Sequence, residues 1–537
     1  MAMELPTTYD ERERIWSGAK RSPTYHYDTS IGKIIFNTMK TWPKNVWQID
    51  DIDGSTVTFE QGLTWAIRIA QHFKKRSLNN KNVIGIVAKN CTYLMPLGLA
   101  CLMNGTPFHS VNASIDEATI SHVFTITKPT LIFCDGNVYE QVRAATVGWQ
   151  PEIYTITEPI EGVLKIEDLL APTKTEAIYQ AEPLIEGGDQ TMLILCSSGT
   201  TGLPKAVCIS NNVLTLENPF INSELTILSS SGLDWVTGVV SFIFSTVFGA
   251  TRVITNKPFS PEYFVQLVKK YKIDSVVLPP GHISALISYP DVTPDDLATL
   301  KSVTYVGGTV SQATLQRTQE LCKNAMLTTG YGLTETLIIT SNLGISNLAS
   351  AGKPMPGVRM RIVDEDGKNL TYNQVGEIFV HKGEAWNGYF GNPEATLQMQ
   401  DAEGWFHTGD LGYFDEQNFL YIVDRKKEIL KYQGLHYWPT EIESVISELP
   451  QVQDVCVVGI YDEREGDAAG ALVVKTKGAV VTAEDISNHV AKRFPGAVTK
   501  QLHAGVQFID KLPANVNGKT LRKASRDLFI AQKGSAK

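Results

Sequence analysis

The sequence predicts an α/β fold: a large N-terminal domain of mostly parallel sheets flanked by helices, a small β-rich subdomain, and a small α+β unit at the C-terminal end. Three observations carry this. Short apolar runs alternate with segments of helical period up to Gly352. From there the texture changes to short strands and tight turns. After the charged cluster Asp424-Arg425-Lys426-Lys427-Glu428 the pattern resets to mixed strands and helices.

The apolar runs at 83–87, 130–134, 191–196, 274–278 and 302–306 have the length and continuity of strands covered on both faces. Between them lie helix-like segments, one of which places Ala66, Ile69, Ala70 and Phe73 at i, i+3, i+4 and i+7. The longest apolar run, 236–250, is interrupted by Thr237, Gly238 and Ser241 and is short for a membrane span, so it reads as a buried core helix. In the β-rich stretch, about 352–423, Asp366-Gly367 is a hairpin signal between RMRIVDE and GEIFVHKG. Beyond it come two strand-like runs, DVCVVGI and AGALVVK, and a helix opening at Thr482 with Ile486, Val490 and Phe494 on one face. The principal boundary falls at Asp424, dividing the chain into 1–423 and 424–537.

A net charge of −9 provides no basic field to draw the chain to nucleic acid or an anionic membrane, so a polyanionic substrate needs locally placed cations. The seven cysteines never fall as Cys-x-x-Cys, which suggests neither a zinc site nor a disulfide framework. The N-terminus reaches acidic residues at once and has no secretory pattern, and the C-terminus reads Ser-Ala-Lys rather than Ser-Lys-Leu. The expectation is an intracellular, cytosolic protein without a transmembrane segment.

Three motifs carry the chemistry. In TMLILCSSGTTGLPKAVCIS an apolar strand runs into Ser197, Ser198, Gly199, Thr200, Thr201, Gly202, Leu203, Pro204 and Lys205, then into a second strand. Glycines let successive N–H groups turn inward, hydroxyls add donors and the lysine adds a point charge, which suits a phosphate. The pattern is not Gly-x4-Gly-Lys-Ser/Thr opening a helix, so P-loop hydrolase chemistry is not implied. The second motif, Thr329-Gly330-Tyr331-Gly332-Leu333-Thr334-Glu335-Thr336, sets a ring, hydroxyls and a carboxylate together, suited to a base, a phosphate and Mg²⁺. The third, GWFHTGD, ends in Asp410, an acid able to accept bonds from paired hydroxyls such as those of ribose.

With YGLTET, GWFHTGDLGYFDE, YIVDRKKEILKYQG and LPANVNGKTLRK in this order, the chain resembles the adenylate-forming superfamily of acyl-CoA synthetases, beetle luciferases and peptide-synthetase adenylation domains. It is most similar to luciferase-like acyl-CoA ligases and 4-coumarate-type CoA ligases. The resemblance covers nearly the whole length. It implies that the β-rich subdomain is barrel-like and that the C-terminal domain is mobile, turning about a hinge at Asp424. It implies that 197–205 covers the pyrophosphate portion of ATP, that Tyr331 and Gly332 flank adenine with Gly330 also in the nucleotide site, and that Thr334 and Glu335 serve phosphate and Mg²⁺. Asp410 and Arg425 would hold the ribose. Lys519, with Lys205 and Glu335, would be catalytic, and Lys431 and Gly434 would serve thiol transfer. Gly307 and Gly308 would wall the passage of the acyl group.

The sequence departs from this pattern in two places. Ser229-Ser230-Ser231-Gly232-Leu233-Asp234-Trp235 stands where many relatives carry a histidine loop, making Trp235 a candidate wall of the acyl pocket. His436-Tyr437-Trp438-Pro439 stands where Gln-Val-Ala-Pro is usual. The resemblance implies an ATP-dependent acyl-CoA ligase acting on a medium- or long-chain fatty acid, with ATP, Mg²⁺ and coenzyme A. An aryl-CoA ligase, a luciferase-type monooxygenase and a turnover-deficient nucleotide- or acyl-binding protein share the same nucleotide motifs. The stretch 214–220 lacks the arginine that luciferases place there. The chain ends 18 residues after Lys519, which leads us to expect coenzyme A rather than an attached carrier domain as acceptor.

Overall fold

The computed structural model describes residues 5–22, 24–197, 204–215, 221–308, 310–343, 347–515 and 518–535. Two large sheets dominate. The first is seven-stranded, in the order Ala206–Ser210, Thr191–Cys196, Phe108–Val111, Ile84–Val87, Leu131–Asp135, Glu152–Thr157, Leu164–Lys165. Every neighbouring pair is parallel except the first, which is a hairpin. The second is nine-stranded, with Val46–Asp50, Thr251–Ile254, Thr226–Ser229, Ser275–Leu278, Ser302–Tyr305 and Met326–Leu333 running parallel through its middle. Each expected apolar run is thus a strand.

One apolar core joins the two sheets through helices that include Phe59–Lys75, Leu94–Asn104 and Val236–Phe248. In the first of these, Thr58 caps the Gln61 N–H at 3.2 Å, and Ala66, Ile69, Ala70 and Phe73 are all buried as their spacing demands. Leu94–Asn104 is apolar around its circumference and buried throughout, as such a helix must be. The 236–250 run forms a core helix; among the described residues no helix is long and apolar enough to cross a membrane.

The β-rich stretch forms a six-stranded antiparallel sheet that ends on Phe406–Phe414 and Leu420–Arg425. It also recruits Thr7–Asp10 and Ile15–Gly18, which pair through Arg359–Val363 and bury Trp16 against Phe414 at a ring separation of 4.4 Å. The sequence pattern did not foresee this contribution, because each segment is only four residues long and its partners lie some 340 residues away. Residues from Leu430 onward form a separate five-stranded sheet with its own apolar core, flanked by Pro439–Ile446, Ala483–Arg493 and Arg522–Ser535. Thr482 opens the middle helix with a capping box: its hydroxyl accepts from the Asp485 N–H at 3.1 Å, and Asp485 accepts from the Thr482 N–H at 2.9 Å.

Candidate active site

A cleft of about 1770 Å³ lies where the C-terminal ends of the parallel strands meet the last unit of the chain. This is where open parallel sheets place ligands, because the loops leaving the strand ends diverge there. Lys205, Tyr331, Glu335, Asp410, Arg425 and Lys519 all line it.

Asp410 is the organising acid. It faces Arg425 across neighbouring antiparallel strands, with Arg425 Nε 3.4 Å from Asp410 Oδ1. The Tyr331 phenol donates to its other oxygen, Oδ2, at 2.7 Å. Burial pushes the Asp410 carboxyl above its ordinary range, while Arg425, the Tyr331 bond and Lys519 act against that shift. Burial, followed by the nearby Asp410 charge, pushes the Tyr331 phenol well above its usual value. Gly332 is required for close approach in the following turn: a Cβ there would lie 2.0 Å from the Leu337 carbonyl oxygen.

The phosphate-loop motif leaves the Thr191–Cys196 and Ala206–Ser210 hairpin, and its base is closed by the Ser197 N–H donating to the Lys205 carbonyl at 2.9 Å. Ser198, Gly199, Thr200, Thr201 and Gly202 lie outside the described residues, as does 216–220, which includes much of the stretch read as lacking an arginine. Lys205 Nζ sits 4.7 Å from the centre of the Tyr389 ring, and the Tyr389 phenol donates to Glu335 Oε1 at 2.7 Å. One tyrosine therefore ties the lysine and the carboxylate into one frame. A lone carboxylate beside phosphate-binding groups fits Mg²⁺, which is held by one or two carboxylates with substrate phosphates rather than by an all-protein cage. No cluster of three metal-ligating side chains occurs among the described residues.

Lys519 reaches the cleft on a tight loop. The Asn515 N–H donates to the Lys519 carbonyl, the Lys519 N–H donates to Asn515 Oδ1, each at 2.9 Å, and Gly518 adopts φ +79°. The loop packs on the large unit so closely that a Cβ on Gly518 would lie 3.0 Å from His282 Nε2. Burial, then Arg425, lowers the Lys519 pKa, with Asp410 and Glu428 opposing the shift. Asp424 stands at the junction of the six-stranded sheet and the last unit, where it accepts from the Thr440 hydroxyl at 3.0 Å and from the Arg425 N–H at 2.8 Å. Just beyond it, Arg522 pairs with Glu428 at 2.9 Å and with Glu443.

Lys431 and Gly434 lie elsewhere. They belong to the exposed hairpin Leu430–Tyr432 and Leu435–Tyr437, where Gln433 and Gly434 turn at φ +49° and +81°, and neither lines the cleft. His436 is exposed on the same hairpin. Trp235 and Gly307 line the cleft; Gly308 follows, with a would-be Cβ 3.3 Å from Pro280. Sequence reasoning missed Tyr389, Glu428 and His282. Only Tyr389 carries a local signal, the aromatic and glycine cluster Trp386-Asn387-Gly388-Tyr389 before a helix cap at Asn392.

The chain matches family models, sequence relatives and solved structures. Residues 35–390 match the model of the AMP-binding enzymes, and 441–519 match that of the AMP-binding enzyme C-terminal domain. The chain is 28% identical to luciferin 4-monooxygenase of Photinus pyralis, over 96% of this chain and 98% of the relative. It is 29% identical to the fatty acid–[acyl-carrier-protein] ligase ScoC of Streptomyces coeruleorubidus, over 89% of this chain and 92% of the relative. Among solved structures it shares the fold of the anthranilate CoA ligase AuaEII in complex with anthranoyl-AMP, with a TM-score of 0.85 and 19% identity over 95% and 99% of the two chains. The chain belongs to the AMP-binding enzyme family, the adenylate-forming enzymes.

Proposed function

We propose that the protein is an ATP-dependent acyl-CoA ligase whose acid is a medium- or long-chain fatty acid. The observation that carries the reading is the delivery of Lys519 into the cleft beside Asp410 and Arg425 by a loop of the C-terminal unit. In the first half-reaction a carboxylate oxygen of the acid attacks the α-phosphorus of ATP, and the bond from that phosphorus to the bridging oxygen breaks to release pyrophosphate. Negative charge gathers around the α-phosphate, where the Lys519 ammonium stabilises it. Lys205 and the 197–205 loop hold the leaving pyrophosphate, Asp410 and Arg425 hold the ribose, and Tyr331 flanks the adenine. Mg²⁺ on Glu335 would screen the phosphate charge that otherwise repels the acid.

In the second half-reaction the thiol sulfur of coenzyme A attacks the acyl carbon, AMP leaves, and the thiol proton passes to solvent. The C-terminal unit, 424–537, turns about Asp424 between the two steps and brings Lys431 and Gly434 to the cleft in place of Lys519. The test is acid-dependent exchange of pyrophosphate into ATP, followed by AMP release when coenzyme A is added. Holo-carrier protein serves as the competing acceptor and luciferin with oxygen as the competing chemistry. Exchange without AMP release on adding coenzyme A would leave an adenylating enzyme with another acceptor. Absence of exchange with every acid would refute the reading.

A further inference from the structure

Resting on the ligase reading, we infer that Asp467 is a positioning residue for thiol transfer: with the loop before it, it clamps the hairpin that carries Lys431 and fixes that lysine's backbone. Alone, the hairpin is strained and weakly attached. Gln433 and Gly434 form its turn, and both have positive φ, +49° and +81°. Such a turn matches the twist of the strands but suits asparagine or glycine at its first position, because a Cβ there crowds the backbone carbonyl. Glutamine lacks the short polar side chain that would compensate locally. Among the described residues a single ladder position, Tyr432 opposite Gly466, joins the hairpin to the rest of the five-stranded sheet.

What holds it is the neighbouring hairpin of Val452–Asp462 and Gly466–Lys475. Asp467 Oδ2 accepts from the Lys431 N–H at 3.2 Å, and the Asp467 carbonyl accepts from the Tyr437 hydroxyl at 2.7 Å. One residue thus restrains both strands of the Lys431 hairpin. Glu465 holds the turn: its carbonyl accepts from the Gln433 N–H at 2.6 Å, and its carboxylate accepts from the Gln433 side-chain amide. Gly466, between them, has φ +86°, and a Cβ there would lie 2.4 Å from the Lys431 carbonyl oxygen, so the two backbones meet where only glycine fits. The loop is itself braced, since Asp462 Oδ1 accepts from the Arg464 N–H at 2.9 Å and from the Glu465 N–H at 3.1 Å.

Core packing does not account for this clamp. Lys431, Gln433, Gly434, Leu435 and His436 are all exposed, and only Tyr432 and Tyr437 reach the core of the unit. Backbone strain that the surroundings over-determine on an exposed hairpin marks a group whose place matters. Thiol transfer supplies the reason. Lys431 must arrive beside the acyl-adenylate after the whole unit has turned, and its stem is already long and flexible, so any play in its backbone adds to the misplacement.

The experiment compares Asp467→Ala, Asp467→Asn and Gly466→Ala with the unaltered full chain. It follows amide hydrogen exchange at Lys431, thiolysis of pre-formed acyl-adenylate by coenzyme A, and acid-dependent pyrophosphate exchange. Asp467→Ala removes the acceptor and Gly466→Ala forces the hairpins apart, so both should lose protection at Lys431. In both, thiolysis at saturating coenzyme A should fall about tenfold, while the KM for coenzyme A and pyrophosphate exchange stay within about twofold. Asp467→Asn keeps an acceptor oxygen and should restore most of the rate. Equal loss in both half-reactions, or an unchanged thiolysis rate in Asp467→Ala, would overturn the positioning role and leave the ligase reading intact. Pyrophosphate exchange without any thiolysis in the unaltered protein would refute the ligase reading and, with it, the role of Asp467.

Discussion

The Tyr389 hydroxyl donates a 2.7 Å hydrogen bond to Glu335 Oε1. The ring of the same tyrosine lies 4.7 Å from the Lys205 ammonium, so its two ends restrain two groups that would act on the phosphates. Tyr389→Phe keeps the ring and removes the restraint on the carboxylate. A hydrogen bond to a charged group is worth about 1.5–3 kcal/mol, so pyrophosphate exchange should fall on the order of tenfold, with a higher Mg²⁺ requirement for ATP binding. Tyr389→Leu, which also removes the ring, should cost more. Equal exchange rates and equal Mg²⁺ titrations for Tyr389→Phe and the unaltered protein would show that the bond has no part in catalysis.

Much of the fold was legible because parallel strands covered on both faces are written as unbroken apolar runs, and because the helix at Phe59–Lys75 carries a clear period. The gathering of Lys205, Tyr331, Glu335, Asp410, Arg425 and Lys519 at one cleft was legible because their motifs, each open to a turn or hairpin reading alone, occur together in one order. What could not be read was long-range pairing. The Thr7–Gly18 hairpin completes a sheet built mostly from residues beyond 358, and nothing local marks it. Tyr389 and His282 acquire their places only through tertiary approach: one by contact with Glu335, the other by the arrival of Gly518.

Burial beside Arg425 lowers the Lys519 pKa, so its ammonium loses its proton at a lower pH than an ordinary lysine. In the proposed mechanism adenylation needs the charged form. The rate should therefore fall on the alkaline side below the usual lysine range, as the lysine deprotonates. In Lys519→Arg, whose guanidinium stays charged, this limb should move to higher pH or vanish. A pH profile of pyrophosphate exchange for the two proteins checks this, and identical alkaline limbs would remove Lys519 from the step.

Asp454 lies under the helix Pro280–Ile287, with its Oδ2 4.0 Å from where a Cβ on Gly281 would stand, and burial pushes its carboxyl up to about 6, with Glu443 adding to the rise. On the proposed swing of the C-terminal unit, opening solvates this carboxyl and lowers its pKa. Asp454 by itself therefore favours closure at low pH and increasingly opposes it as pH rises to about 6, while His282, pushed down to about 4 by burial and by Lys511, acts in the opposite sense. Asp454→Asn should remove the first contribution, leave the second, and shift the balance towards the closed form at neutral pH. Energy transfer between dyes on the two units, followed from pH 4 to 8, should show less closure at low pH relative to neutral pH in the variant than in the unaltered protein. A variant that keeps the slope of the unaltered protein would show that Asp454 has no part in the dependence.

The central claim is that Lys519 and Lys431 serve different half-reactions because the cleft admits their loops one at a time. Lys519 is in the cleft, and Lys431 is exposed on a hairpin outside it. The direct measurement is the rate of each half-reaction in Lys519→Ala and in Lys431→Ala: acid-dependent pyrophosphate exchange, and thiolysis of pre-formed acyl-adenylate by coenzyme A. Lys519→Ala should lose on the order of 10²–10³-fold in exchange, as for one donor aimed at transition-state charge, and largely keep thiolysis. Lys431→Ala should keep exchange and accumulate acyl-adenylate. If both variants depressed the same half-reaction and left the other untouched, the exchange of two faces about Asp424 would be contradicted.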